Sequence, residues 1–579
     1  MSGSHRRKAL IAAGGVAGLT AAAALIAVPA SAVTPDHVPL AGTQPAWATS
    51  SAAHGAVPSG RSQDLRVYLA PKGGTANLKS AVAAVSTPGS TSYRHYLSTA
   101  QYKARFSPTA AEVSQVRSWL AGSGLHVTGV ASGNRYVRAT GTAAAAEKAF
   151  SVGLKLYSHK GKTVQAPSAR AQVPTAISGS VIGVLGLDTA SHTVAPRSVT
   201  DAAPAAAPAA TAKAAGGYPY APGFRNARPC SLSYGQVTAN KQADFKTPLP
   251  KFNGKFRAYA PCGYVPAQFR AAYGVDASKL TGQGATVAIT DAYALPTMQK
   301  DANQYATDQG DAPFAPGQFS QTLPSKFTDQ ALCDPGGWGG EEALDVEAVH
   351  GMAPAAKVMY YGSASCNDAD FLDTLAKVVS DNKASIVSNS WGDVEQNSTT
   401  GSVAAYEQVF LQGAMQGISF QFSSGDNGDE VLNTGLKQAD YPTSDPYVTS
   451  AGGTSTAIDA NGAMQFQTGW GTLKYSLSAD GKSWEPLGFL YGAGGGMSHL
   501  FNQPTYQNGV VPAALGSARA VPDVAMDADP TTGMLIGLTQ DFPEGIHFGE
   551  YRIGGTSLAS PLFAGIQALK TQLNGGTRL

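Results

Sequence analysis

Three short segments of this chain place residues that could break a bond. Gly554-Gly555-Thr556-Ser557-Leu558-Ala559-Ser560-Pro561 sets a serine in a turn of small residues, just ahead of an apolar stretch, Leu558 to Leu569, that reads as a helix. A hydroxyl there sits at the positive end of the helix dipole, and small neighbours let another backbone approach closely. The same turn could equally be only a helix cap. The second segment is Gly340-Glu341-Glu342-Ala343-Leu344-Asp345-Val346-Glu347. At about 100° per residue, Glu341 and Asp345 project about 40° apart on one helix face. Carboxylates held together repel, which raises the pKa of one and lets the pair share a proton. The competing reading is a solvated acidic face, or Glu341 favouring a helix N-terminus. The third segment, Ser423-Ser424-Gly425-Asp426-Asn427-Gly428, has the composition of a turn.

A serine nucleophile needs a base. Asp291, His350 and Ser557 follow the chain order that subtilisin-type triads use. The setting of His350 argues against it. It ends a helical stretch in Val349-His350-Gly351-Met352-Ala353-Pro354, and nine residues from Glu341 it falls about 180° away, on the opposite face. His499 and His547 stand in no triad-like context.

The elements that must hold these residues alternate. Thr286–Thr290, Lys357–Tyr361, Ser385–Ser390 and Ser419–Ser423 are short apolar strands, separated by helical stretches at Met298–Gln309, Glu341–His350, Asp368–Ser380 and Val403–Gln416. Continuous apolar strands alternating with helices predict an α/β fold, a parallel sheet with helices on both faces. Ahead of it, strands at Arg66–Leu69, Leu125–Val127, Tyr136–Arg138 and Leu154–Tyr157 and helices at Asn77–Val85, Thr109–Gly122 and Thr142–Phe150 predict a small α+β domain.

With those residues in view, the chain resembles the sedolisin family, the serine-carboxyl peptidases of the subtilisin-like clan. The resemblance rests on a Glu and an Asp four residues apart, an Asp in Ser-Gly-Asp and a Ser in Gly-Thr-Ser, in that order. Further family-like strings are Ser388-Asn389-Ser390-Trp391-Gly392, Tyr441-Pro442, Ala451-Gly452-Gly453-Thr454, Gly494-Gly495-Gly496-Met497-Ser498 and Val521-Pro522-Asp523-Val524-Ala525. Tyr93-Arg94-His95-Tyr96-Leu97 through Arg105-Phe106-Ser107-Pro108 is similar to the pro-kumamolisin-type activation domain that precedes these peptidases. The resemblance implies that Ser557 is the nucleophile, Glu341 its general base, Asp345 the partner that shares the proton, and Asp426 a protonated carboxyl in the oxyanion hole. It implies an acid-active endopeptidase on polypeptides, held by its own prodomain as an intramolecular inhibitor, with Asp291 left structural. The alternatives are a tripeptidyl exopeptidase of the same family and a catalytically inactive secreted protein. The family also implies a structural calcium in a segment beyond the serine helix. No ligand for it is identifiable before Leu579, so that segment is expected to be missing from this sequence.

Organisation follows the same reading. His5, Arg6, Arg7 and Lys8, then Ala9 to Val28, then Pro29-Ala30-Ser31-Ala32 form a secretory signal over 1–32, which predicts a secreted protein. The prodomain is expected over 33–195, ordered from about residue 63. An Ala/Pro-rich processing linker spans 196–216, with Ala202–Ala215 almost wholly Ala and Pro, and the peptidase domain 217–579. With 43% hydrophobic and 14% charged residues and a net charge of +2, nothing favours disorder, nucleic acid or an anionic membrane, and a monomer is expected. Cys230, Cys262, Cys333 and Cys366 favour two disulfides in an oxidising compartment. Neighbour pairing closes the shortest loops, though three pairings are possible.

Overall fold

The computed structural model describes residues 36–190, 192–200, 219–239 and 249–579. The signal peptide expected over 1–32 and the Ala202–Ala215 run therefore lie outside the described residues. At the centre is an eight-stranded sheet. Its order is Phe319–Thr322, Lys357–Ser363, Thr286–Ala292, Ile386–Asn389, Ser419–Ser423 and Thr449–Ile458, with Val524–Asp527 and Met464–Gly469 both pairing with the last. Only the Met464–Gly469 pairing is antiparallel; the rest are parallel. The predicted α/β class and all four predicted parallel strands are present.

The pleat divides the core in two. Val287, Ile289, Val358 and Tyr360 face a layer built on the helices Pro335–Met352 and Thr556–Leu573. Ala288, Val387, Phe420 and Phe422 face the opposite layer, built on Asp368–Asp381 and Thr400–Gln416. Both faces are thus covered, which is why these strands carry no polar alternation. Disulfides join Cys230 to Cys262 and Cys333 to Cys366, the neighbour pairing. The second fixes the chain just before Pro335, where the helix bearing Glu341 begins.

Two expectations are corrected. That helix starts at Pro335, six residues ahead of the predicted Glu341, with Asp334 accepting at its N-terminus from the Gly337 N–H at 3.3 Å. Order also begins well before residue 63: His37–Pro39 pairs with Gln172–Pro174, and Ala53–Ala56 with Leu154–His159. Composition made that stretch look loose, but partners more than 90 residues away supply its ladder.

The rest of the N-terminal part is a four-stranded antiparallel sheet, His126–Val130, Tyr136–Thr142, Ser62–Leu69 and Val181–Leu185 in that order, packed with helices around its own core. It docks on the helices Asp368–Asp381 and Thr400–Gln416. Leu78, Val82, Tyr102 and Phe106 pack on Leu411 and Met415. The Gln408 amide donates to the Leu69 carbonyl at 2.9 Å. Arg66 pairs with Asp373 at 3.1 Å, Tyr136 donates to Asp373 at 2.7 Å, and Lys79 pairs with Glu407 at 2.7 Å.

Candidate active site

The helix Pro335–Met352 is buried on every side, so its acidic face is not solvated. Each carboxylate must find a partner inside the protein, and the partners separate their roles. Glu342 accepts from the Leu295 N–H and from Gln321 Nε2 at 2.9 Å. Glu347 accepts from the Gly537 N–H at 3.0 Å. These two stitch the helix to its neighbours. Asp345 accepts only from Ser390 Oγ, at 2.8 Å, and its second oxygen has no hydrogen-bond partner among the described residues. Glu341 receives no hydrogen bond of regular geometry on either oxygen among the described residues. Burial drives its pKa up to about 8, against the pull of the Ser198, Ser557 and Ser390 hydroxyls around it. A buried carboxyl without structural donors, beside a serine hydroxyl, is what a general base requires.

Asp291 joins this group. It ends the strand Thr286–Ala292, is fully buried, and neither of its oxygens has a hydrogen-bond partner among the described residues. Burial, then the charges of Glu341 and Glu342, push its pKa well up; Asp345 is likewise raised by burial, then by Asp291 and Glu341. The expected pair is therefore a cluster of three carboxyls, and Asp291 is closer to the chemistry than a purely structural residue.

Ser557 is the second residue of the helix Thr556–Leu573. Gly555 precedes it at φ +96°, a backbone that side chains rarely adopt. Pro561, one turn on, has no N–H for the Ser557 carbonyl; Ser390 Oγ donates to that carbonyl instead, at 3.3 Å. Ser557 Oγ donates to the Ser390 carbonyl at 3.3 Å. The string Ser388–Gly392 contained Ser390, but spacing could not reveal that it braces both Asp345 and Ser557.

Asp426 lies across from Gly555. Its Oδ1 accepts from the Thr556 N–H at 2.8 Å and from Thr556 Oγ1 at 2.9 Å, while buried Oδ2 has no hydrogen-bond partner among the described residues. A side chain at Gly555 would come within 2.7 Å of that oxygen. Burial raises the Asp426 pKa to about 7, tempered by Thr556 and by the charge of Arg197. Near or below that value the carboxyl is neutral, and its free edge can donate a hydrogen bond into the cleft.

The structure thus brings Glu341, Asp345, Asp426 and Ser557 together, with Asp291 and Ser390. It does not bring His350. That ring is buried, bonded through Nε2 to the Ala312 carbonyl at 2.8 Å and packed on Phe314, with its pKa lowered by burial. Among the described residues no group of three or more His, Cys, Asp or Glu side chains is placed to hold a metal ion, and the calcium that the resemblance implies enters no step below.

The buried carboxyls also fix a stability trend. Glu341 and Glu342, at about 8, and Asp426, at about 7, hold protons in the fold that the unfolded chain releases near pH 4. The folded state binds more protons between these limits, so stability falls as pH rises. Calorimetry of an uncleavable Ser557→Ala chain is expected to show Tm dropping by at least about 5 °C from pH 4 to pH 8; a rise would contradict the assignment.

Residues 49–190 match the family described as Pro-kumamolisin, activation domain, and 335–577 match the Subtilase family. The chain is 34% identical to kumamolisin of Bacillus sp. (strain MN-32), over 56% of this chain and 55% of that protein. It is 28% identical to sedolisin of Pseudomonas sp. (strain 101), over 87% of this chain and 75% of that protein. Among solved structures, Pseudomonas sedolisin, a serine-carboxyl proteinase complexed with two molecules of pseudo-iodotyrostatin, aligns at 27% identity and a TM-score of 0.44, over 54% of this chain and 82% of that one. The match to kumamolisin therefore spans about half of that relative's length.

Proposed function

The chain belongs to the sedolisin-type peptidases, with a Pro-kumamolisin activation domain ahead of a subtilase-family domain, and on that footing we propose that it is a secreted, acid-active serine-carboxyl endopeptidase made as a zymogen. One observation carries the reading: Glu341 is buried and, among the described residues, without hydrogen-bond donors of regular geometry, in company with the Ser557 hydroxyl and near enough to Asp426 to feel its charge.

The steps follow from that arrangement. Ser557 Oγ attacks the peptide carbonyl carbon as its proton passes to Glu341, which hands its own on to the unpartnered edge of Asp345, so that the step needs one negative charge in the carboxyl cluster and not an ionised Glu341. Asp345 and Asp291 bias how Glu341 holds charge. The oxygen of the tetrahedral intermediate is held by the Ser557 N–H, which has no partner within its own helix because it lies in the first turn, and by protonated Asp426. Glu341 then delivers the proton to the leaving nitrogen, and water reverses the sequence to free the acyl group.

The pH dependence has a definite sign. An ionised Asp426 cannot donate and repels the oxyanion, so activity falls as pH rises through the Asp426 pKa. That value is about 7 in the covered site and lower once water enters the open cleft. Acid also loosens the prodomain: burial raises the Asp373 pKa despite Arg66, and protonating it removes the charge that Arg66 meets. Domain limits near residues 33–195 and 217–579, with removal of the former on maturation, complete the proposal.

Two substitutions separate this reading from a histidine triad. His350→Ala is expected to keep most of the casein-cleaving activity at pH 4, while Glu341→Ala loses it. Activity that needs His350 and tolerates Glu341→Ala would overturn the reading.

A further inference from the structure

The segment that leaves the N-terminal domain runs through the active site in the manner of a substrate. Ala195 and Pro196 pair antiparallel with Gly392 and Trp391. The Arg197 N–H donates to the Ser390 carbonyl at 3.0 Å. The Arg197 carbonyl accepts from the Ser557 N–H at 2.9 Å. Two residues on, Val199 exchanges both backbone hydrogen bonds with Gly554, at 3.1 and 2.9 Å. The strand is thus held on both sides of the peptide bond between Arg197 and Ser198.

That bond is also placed chemically. The spot in front of Gly555 lies 2.1 Å from the Arg197 carbonyl oxygen, 2.7 Å from Asp426 Oδ2 and 2.8 Å from Ser198 Cα. The carbonyl therefore occupies the hole formed by the Ser557 N–H and Asp426, and Ser198 sits beside Glu341 on the leaving-group side. The Arg197 side chain enters a buried acidic recess. Its guanidinium meets Asp440 at 2.7 Å, with Asp393 and Glu430 contributing further negative charge. Glu430 is itself buried and anchored by Asn427 at 3.0 Å and Asn433 at 2.7 Å.

We propose that Arg197–Ser198 is the first bond this chain cuts, in its own cleft, and that the recess at Asp440 selects a basic residue on the acyl side of the bond. The proposal rests on the serine-carboxyl reading above. In the cut, Ser557 Oγ forms an ester with the Arg197 carbonyl carbon and the bond to the Ser198 nitrogen breaks. The serine proton moves through Glu341 to that nitrogen, and water then hydrolyses the ester to a free Arg197 carboxylate. The rest of the Ala/Pro-rich linker is trimmed later.

The test is a time course of the purified full-length chain shifted from pH 7 to pH 4, followed by N-terminal sequencing and intact mass. The first new N-terminus is expected at Ser198, with a rate independent of protein concentration over a hundredfold range. Arg197→Lys is expected to cut within about threefold of the wild-type rate, and Arg197→Glu at least tenfold more slowly, both with unchanged circular dichroism. On quenched peptides with Arg or Leu at the same place, Asp440→Asn is expected to lower the Arg/Leu ratio of kcat/KM at least tenfold. A first cut elsewhere, or a rate that rises with concentration, by a chain that still cleaves casein would overturn this inference and leave the peptidase reading standing. A chain inert on itself and on casein alike would overturn both.

Discussion

Replacing Ser557 with alanine is expected to lower kcat/KM on a casein-derived peptide by at least ~10⁴-fold and to leave the precursor at full length after days at pH 4. No other described hydroxyl can take over. Ser390 Oγ is bound to Asp345, and Ser560 shares a hydrogen bond with Ser388 at 2.9 Å inside the core. Glu341→Ala is expected to cost nearly as much, and the double variant little more than either alone, because nucleophile and base act in one step. Folding should survive both changes: Ser557 sits in a turn already fixed by Gly555, and Glu341 makes no regular hydrogen bond whose loss would strand a partner. Removing a buried, donor-poor carboxyl should if anything stabilise the chain at pH 8, a readout that activity does not supply. Rates within tenfold of wild type for either variant would place the chemistry elsewhere.

The second large effect concerns Asp426. Asp426→Ala is expected to reduce kcat ~10²- to 10³-fold at pH 4, the usual cost of losing one donor to the oxyanion. Asp426→Asn is the more telling change. Asn Oδ1 can keep both hydrogen bonds from Thr556, which puts the amide NH₂ where the unpartnered Oδ2 now lies. That donor does not ionise. The ratio of Asn-variant to wild-type activity is therefore expected to climb at least tenfold between pH 4 and pH 7, as the wild-type carboxyl charges and the amide does not. A ratio that stays flat would mean that Asp426 shapes the turn and gives the oxyanion nothing.

How much of this could be read from the chain alone depends on how local the cause is. Glu341 and Asp345 share a face through helix geometry, and the four central strands are continuous apolar runs because both faces of the sheet are covered. Both are short-range patterns and both survive in the structure. The start of the helix at Pro335 is hidden by Gly336, Gly337, Gly339 and Gly340, residues of low helix propensity. They are needed for contact: a side chain at Gly339 would meet Leu295 at 2.8 Å, and one at Gly340 the Tyr551 hydroxyl at 2.9 Å. Asp291 reaches the carboxyl cluster only through the register of its strand beside the helix, which spacing in the sequence does not encode. Arg197 stands at the edge of a low-complexity stretch with no periodicity, and its partners Ser390, Asp440 and Ser557 are all nearly 200 residues or more away. Residues 36–62 misled for the opposite reason, since their composition argued for looseness and their order comes from distant strands.

The measurement that tests the central claim most directly is the pH profile of casein cleavage by the full-length chain after preincubation in acid. The carboxyl mechanism predicts a maximum near pH 3–5 and loss of activity on the way to pH 7, as Asp426 ionises. A maximum near neutral pH, with little activity at pH 4, would contradict it.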